Sequence, residues 1–370
     1  MSEVLLDAPS LGETEKRYLA AAIDSGYVSV IGPFVSEFEQ KFARYVGARS
    51  AVSVQSGTAA LHIALHELGI SAGDEVIVPA LTFIASINPI LYVGARPVIV
   101  DVDKETWNMS PEAVHRALTS KTRAIIPVHL YGNPCQMEAL LRIAEERNLQ
   151  VIEDATESLG ATYRGRQTGT MGDLGCYSFN GNKLITTGGG GMVVSNNPDR
   201  AGHIKFLVNQ ARVDAQGYFH PEVGFNYRMT NIEAALGLAQ MEQIGLFLEK
   251  KRRFSQIYED VLGELPYIKI QKPYHDALSS RWLTCVIIEK DLDLNGLIRY
   301  LKDEGIQTRR VFMPADKMPY LKEFSCPSPE AEEIYQKGLC LPSSTQNAES
   351  QVRHAAETLR DRLEVMIRHS

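Results

Sequence analysis

The chain is short of cysteine, of basic excess and of long apolar runs, and each shortage excludes a class of protein. Its five cysteines, Cys135, Cys176, Cys285, Cys326 and Cys340, are odd in number and widely spread, with no Cys-x-x-Cys pair. Such spacing leads us to expect no disulfide framework and no zinc site, and a reducing cytoplasm as the setting. A formal net charge of −7 argues against a nucleic-acid partner, which would call for a basic surface. No apolar stretch is long enough to span a bilayer, so no membrane partner is expected. The start, Met1-Ser2-Glu3-Val4, lacks a basic segment followed by an apolar run, and no signal peptide is expected. Internal repeats and low-complexity segments are also lacking. What is there is an ordinary globular balance, 44% hydrophobic and 22% charged. A chain of 370 residues is too long for one small core, so a large domain and a smaller one are expected.

In the first half, short apolar runs alternate with longer helical patterns. Leu61, Ala64, Leu65 and Leu68 recur at helical spacing. Strand-like runs lie at 51–54, 75–78, 97–102, 124–128 and 151–152, with helical patterns near 84–93, 111–118 and 137–147. This alternation predicts an α/β fold with right-handed crossovers and a mostly parallel sheet. The apolar runs are nearly continuous, as in strands buried on both faces. After Gly224 the pattern changes. A long helix is expected over 231–262, then strands near 282–288 and 307–312 and helices near 294–304 and 349–368. That reads as a smaller C-terminal α+β domain. We therefore expect residues 1–245, with an N-terminal helical segment, to form the large domain and 246–370 the small one.

The most informative stretch is Ser178-Phe179-Asn180-Gly181-Asn182-Lys183, followed by Leu184-Ile185-Thr186-Thr187 and the glycines 188–191. Small and polar neighbours let the chain pass close to a bulky ligand and hold the lysine amine in a pocket. An amine so held suits covalent attachment to an aldehyde cofactor. In parallel sheets ligands collect beyond the carboxyl ends of the strands, and several candidates fall there. Gln55-Ser56-Gly57-Thr58 opens the Leu61 helix. Its free N–H groups suit a phosphate; the alternative is an ordinary N-cap by Ser56 or Thr58. Asp154 ends Val151-Ile152-Glu153-Asp154 and either holds a protonated pyridine nitrogen or caps a turn. Glu157 either touches the ring hydroxyl or faces solvent. Phe83, after Pro79-Ala80-Leu81-Thr82, either stacks on a flat ring or packs in the core.

A phosphate-binding helix start, an aromatic, an acidic strand end, Ser178 and Lys183 follow one another in the order of a fold-type I pyridoxal-phosphate enzyme. Over nearly its whole length the chain resembles the nucleotide-sugar aminotransferases of the DegT/DnrJ/EryC1/StrS family. The matching pieces are Gln55 to Leu61, Glu153-Asp154-Ala155, the Ser178–Gly191 block and Gly224-Phe225-Asn226-Tyr227-Arg228-Met229. The resemblance implies pyridoxal 5'-phosphate as cofactor, carried on Lys183, which also moves the proton between cofactor and sugar carbons. It implies Asp154 at the pyridine nitrogen, Glu157 near the ring hydroxyl, and Gly57, Thr58 and Ser178 at the phosphate. Asn226 matches an asparagine that the neighbouring subunit contributes, so a homodimer with shared active sites is implied. Arg228 is a nearby anion partner or a structural salt bridge.

L-Glutamate is the implied amino donor and a nucleotide-linked keto-sugar, UDP- or GDP-linked, the acceptor. The run Gly181-Asn182-Lys183-Leu184-Ile185-Thr186-Thr187-Gly188 resembles the form found in enzymes that aminate carbon 4 of a 4-keto-6-deoxy sugar for cell-surface glycans. The alternatives are a carbon-3 aminotransferase on a dTDP-keto sugar and a non-catalytic pyridoxal-phosphate binder. Tyr27, His129, Tyr131, Asn182, Arg228 and Arg309 are the candidate substrate contacts. Tyr27 is otherwise a packed loop aromatic, His129 a structural histidine, and Arg309 and Arg310 surface charges. The run Lys250-Lys251-Arg252-Arg253 is expected to be a solvated helix face. Where relatives often carry His-x-Gln, this chain reads Pro314-Ala315-Asp316-Lys317-Met318-Pro319, on the side that receives the nucleotide sugar in relatives.

Overall fold

The structure, a computed structural model, describes residues 3–368 except 214, 216 and 325. Runs such as Val76-Ile77-Val78 and Val151-Ile152 have no polar side to turn outward, so they form strands covered on both faces. The strands are β1 Ser50–Val54, β2 Glu75–Pro79, β3 Arg96–Val100, β4 Thr122–Ile125, β5 Gln150–Asp154, β6 Thr162–Tyr163, β7 Arg166–Gln167, β8 Leu174–Ser178, β9 Gly191–Ser195, β10 Ile268–Ile270, β11 Ala277–Leu278, β12 Thr284–Ile288, β13 Arg309–Arg310 and β14 Gly338–Leu341. The large sheet has seven, in the order β1-β9-β8-β5-β4-β2-β3. From β8 across to β3 the pairs are parallel, as expected. β9 runs against both neighbours, β1 and β8, so the sheet is mixed at that end. This reversal brings the glycines before β9 back beside the ends of β1 and β8.

Helices expected over 137–147, 231–262 and 349–368 appear as Met137–Arg147, Asn231–Leu262 and Glu349–Arg368. The helix expected near 84–93 is broken into a 3-10 turn, Ile84–Ser86, and a short helix, Asn88–Tyr92. Pro89 explains the break, because it has no N–H to continue the ladder. The helix Asn231–Leu262 has 32 residues, about 48 Å at 1.5 Å per residue. Thr230 and Glu233 cap its start reciprocally. Its first half packs Ala234, Leu238 and Met241 against Phe38, Phe42 and Phe179. Its last turns place Phe254, Ile257 and Tyr258 in a separate core under the second sheet, β10-β12-β14-β13. A division after residue 245 therefore falls inside this helix.

Two features depart from the expectations. Residues 4–8, grouped with the large domain in the sequence reading, are hydrogen-bonded to the C-terminal half. Val4 N–H donates to Gly305 O at 2.8 Å, and Ser343 N–H donates to Leu6 O at 2.7 Å. The basic run is also not wholly a solvated face. Lys251 is buried, and its Nζ donates to Trp282 O at 2.7 Å. Among the described residues no helix is long and apolar enough to cross a membrane. Cys285 and Cys340, opposite each other on β12 and β14, are buried thiols with Sγ atoms 3.5 Å apart.

Candidate active site

A cleft opens at the carboxyl ends of β1, β5 and β8. Its floor comes from the large sheet and its far wall from Trp282, Arg309 and Phe312 of the C-terminal half. The helix Gly57–Glu67 points its start into this cleft. Ser56 caps that helix by accepting the Ala59 N–H at 3.0 Å. A cap of this kind satisfies one of the first N–H groups and leaves others for an anion, so the two readings of Ser56–Thr58 are compatible. Gly57 lies so close to Ser178 and Thr156 that an added Cβ would sit 2.9 Å from Ser178 Cβ and 3.0 Å from Thr156 Cγ2. Glycine therefore lets this helix start close on Ser178.

Asp154, at the end of β5, is buried. It accepts from Ser86 Oγ at 2.7 Å, Thr156 Oγ1 at 2.7 Å and Thr156 N–H at 3.1 Å. A carboxylate offers about four acceptor sites, so room remains for one more donor from the cleft. Phe83 is 54% exposed and lines the cleft, with its ring 5.6 Å from that of Phe312. A core role for Phe83 is thereby excluded, and its open face is free to stack on a flat ligand.

Lys183 Nζ lies 3.5 Å from Glu157 Oε1 and 4.0 Å from the centre of the Trp282 ring. Glu157 is buried and takes the Tyr131 N–H on its other oxygen at 2.8 Å. Burial pushes the Glu157 carboxyl above its usual range; Lys183 and the Tyr131 N–H oppose the rise without cancelling it. Asn182 lines the cleft beside Lys183, and its carbonyl accepts Trp282 Nε1–H at 2.7 Å. Arg309 reaches the cleft from β13.

Five candidates stand apart from the cleft wall. His129 is a correction: it is fully buried and lines no part of the cleft. Its Nδ1 accepts the Cys135 N–H at 3.0 Å, so the ring proton is on Nε2 and is donated to Glu153 Oε2 at 3.0 Å. Both nitrogens are spent inside the fold. Tyr131 is also buried, behind the cleft rather than in it. Its ring stacks on Phe312 and Trp282 at 5.1 and 6.2 Å, and its hydroxyl accepts the Phe312 N–H at 2.8 Å. Tyr27 is exposed and outside the cleft, and its carbonyl accepts Asn231 Nδ2–H at 2.7 Å. Arg228 lies in a different groove, with Asn209 and Lys205. Asn226 is exposed and likewise outside its own chain's cleft. Sequence reasoning missed Ser86, Thr156, Trp282 and Phe312, and also Asp7, whose Oδ2 accepts from Asn182 Nδ2 at 3.1 Å. Thr156 sits within the Glu153–Glu157 run and Trp282 is one of two tryptophans, so both carried a faint signal.

The chain matches the DegT/DnrJ/EryC1/StrS aminotransferase family over residues 9–360. It belongs to that family. It is 43% identical over 356 residues to a GDP-perosamine synthase of Escherichia coli O157:H7, covering 95% of this chain and 96% of that protein. A GDP-perosamine synthase of Caulobacter vibrioides is 44% identical over 324 residues, covering 86% and 87%. Among solved structures, a putative sugar aminotransferase of Streptococcus pneumoniae, Spr1654 in its PMP form, superposes with a TM-score of 0.94 at 26% identity, covering 99% of this chain and 98% of that one.

The protein is thus an aminotransferase of the fold-type I class whose cofactor is pyridoxal 5'-phosphate. The cleft fits that group on its own chemistry. The tight approach at Gly57 and the helix start suit the phosphate, the spare acceptor site of Asp154 suits a protonated ring nitrogen, and the exposed face of Phe83 suits the ring.

Proposed function

We propose that the enzyme moves the amino group of L-glutamate to carbon 4 of a GDP-linked 4-keto-6-deoxy sugar. The observation that carries this reading is 43–44% identity to two GDP-perosamine synthases over most of the chain. The Gly181-Asn182-Lys183 to Gly188 run supports the same carbon. The product serves cell-surface polysaccharide synthesis in the cytoplasm. Two copies form the working unit, with Asn226 of each completing the phosphate site of the other. Its exposure outside its own cleft supports that arrangement.

When bound, pyridoxal phosphate supplies the electron sink that lets a carbon–hydrogen bond ionise. The chain supplies the rest. Asp154, held by Ser86 and Thr156, would use its remaining acceptor site to keep the ring nitrogen protonated. Gly57, Thr58 and Ser178, which line the cleft, would seat the phosphate. The Lys183 amine would take the proton from the donor carbon in the first half of the reaction and deliver one to the acceptor sugar carbon in the second. Glu157 at 3.5 Å and the Trp282 face at 4.0 Å receive the ammonium form, so the protonated amine stays at the reacting atoms.

The test is an assay of purified enzyme with L-glutamate against GDP-, UDP- and dTDP-linked 4-keto-6-deoxy sugars, with NMR of the product. A 4-amino sugar from the GDP-linked substrate is expected. A 3-amino product from a dTDP-linked sugar would replace this reading with the carbon-3 one.

A further inference from the structure

The segment carrying Asp7 runs along the boundary between the cleft and the second sheet. Leu6 N–H donates to Gln307 Oε1 at 3.0 Å, and Ser344 Oγ donates to Ala8 O at 2.7 Å, so the chain on both sides of Asp7 is fixed. The Asp7 carboxylate is mostly buried, with 18% of the side chain exposed. Its Oδ2 accepts from Asn182 Nδ2 at 3.1 Å and lies 3.3 Å from Arg309 Nη1. One oxygen thus joins the turn that holds Lys183 to the arginine on the opposite wall.

Arg309 is only partly satisfied. Nη1 faces Asp7, while Nε and Nη2 are buried and make no hydrogen bond. Nε and Nη2 are neighbours on one edge of the guanidinium, spaced to give two parallel hydrogen bonds to one oxyanion. The plane is flanked by Trp282 and Phe312, whose ring centres lie 5.9 and 5.7 Å from Cζ. Buried donors without a partner are unfavourable unless a ligand supplies the acceptors. A guanidinium free to turn about its long side chain would find water; the Asp7 contact removes that freedom.

We propose that Asp7 is a positioning residue: it fixes Arg309 so that the Nε–Nη2 edge forms a two-pronged seat for an oxyanion of a substrate. This rests on the aminotransferase reading. Two substrate groups share that chemistry, the carboxylate of the amino donor and the diphosphate of the sugar nucleotide. Asp7 also indexes the seat to Lys183 through Asn182, so the anion and the amine keep a constant separation.

The experiment compares holoenzymes carrying Asp7→Asn, Arg309→Lys and both changes. The KM values for L-glutamate and for the keto-sugar nucleotide are measured separately, together with inhibition by succinate, an unreactive dicarboxylate. Asp7→Asn is expected to raise one KM about tenfold, the loss of an oriented charge-assisted contact, with kcat within about twofold. In the Arg309→Lys background the same change should add less than about twofold, because the group it orients is gone. A rise in the glutamate KM and in the succinate Ki assigns the seat to the carboxylate; a rise in the nucleotide KM alone assigns it to the diphosphate. Unchanged KM values in Asp7→Asn, or an undiminished rise on top of Arg309→Lys, would overturn the proposal. Melting temperature and cofactor absorption show whether each variant is folded and loaded. A wild-type enzyme that accepts no amino donor would instead overturn the aminotransferase reading itself.

Discussion

Two buried glutamates grow from the same strand end, four residues apart, each facing a base, and the two pairs do opposite things. Glu153 faces His129 at 3.0 Å and also accepts the N–H groups of Gly169, Met171 and Gly172. Those four donors fill a carboxylate's acceptor sites. Burial alone would push the Glu153 carboxyl up, but the His129 contact and the backbone N–H groups outweigh it and hold it below its usual range. Glu157 faces Lys183 at 3.5 Å and, among the described residues, takes one backbone N–H, from Tyr131. Its carboxyl stays above the usual range, and the lysine beside it opens onto the cleft. A buried pair with every valence filled is structure. A half-buried pair with capacity left over, at the wall of a cleft, is where a proton can be moved.

The contrast breaks most readily at Lys183. Lys183→Ala should lower turnover by about 10⁴-fold or more, since it removes the proton carrier and the covalent attachment point together. Its melting temperature should stay close to wild type. Steady-state kinetics and a thermal scan check both halves, and normal turnover would end the assignment of Lys183. His129→Ala should do the reverse. It strands Glu153 in the interior and should cost about 3–5 kcal/mol of stability, read by denaturant unfolding. The remaining folded enzyme should keep kcat within about tenfold. A large kcat loss in a stable His129→Ala protein would bring His129 back as a catalytic contact.

Lys251 sharpens the comparison from another side, as a buried base with a carbonyl partner. Burial lowers its pKa from 10.5 to about 7, with Asp7 opposing. Above pH 7 the folded lysine gives up a proton that the unfolded chain keeps until about 10.5, so stability should climb with pH across that window. Lys251→Met should flatten the climb in unfolding curves taken between pH 7 and 10. The smallest effect is expected at Glu157. Its raised carboxyl pKa means that the folded chain holds a proton after the unfolded chain has lost it. Stability from this group is full below the ordinary carboxylate range and is lost as pH rises through the folded value. Thermal scans of cofactor-free protein should show that loss in wild type and its absence in Glu157→Gln.

Much of the large-domain side of the cleft was legible in the sequence, because Gly57, Thr58, Asp154 and Ser178 sit at strand ends or a helix start and Lys183 in the small, polar turn after β8; Ser86 and Thr156 beside Asp154 were not read. Gly57, Thr58, Asp154, Ser178 and Lys183 line one cleft because β1, β5 and β8 end on one edge of one sheet. Of the opposite wall only Arg309 was legible. Trp282 and Phe312 reach the cleft only because the C-terminal half packs on the sheet, and Asp7 meets Asn182 from the N-terminal segment bonded to that half. His129 was misread for a related reason. Its place at a strand end looked like a site, but the fold of the 130–135 segment turns the ring inward, onto Glu153 and the Cys135 N–H. Lys251 looked like part of a solvated stripe because spacing alone does not show that Trp282 O waits behind it.

The central claim is that the open pair at Lys183 serves amino transfer on a bound pyridoxal phosphate, and the cofactor's own absorption tests it most directly. Purified protein loaded with the cofactor should be yellow, and L-glutamate should bleach that band, which the keto-sugar acceptor then restores. A band that persists unchanged with L-glutamate and with every other amino donor would contradict the account.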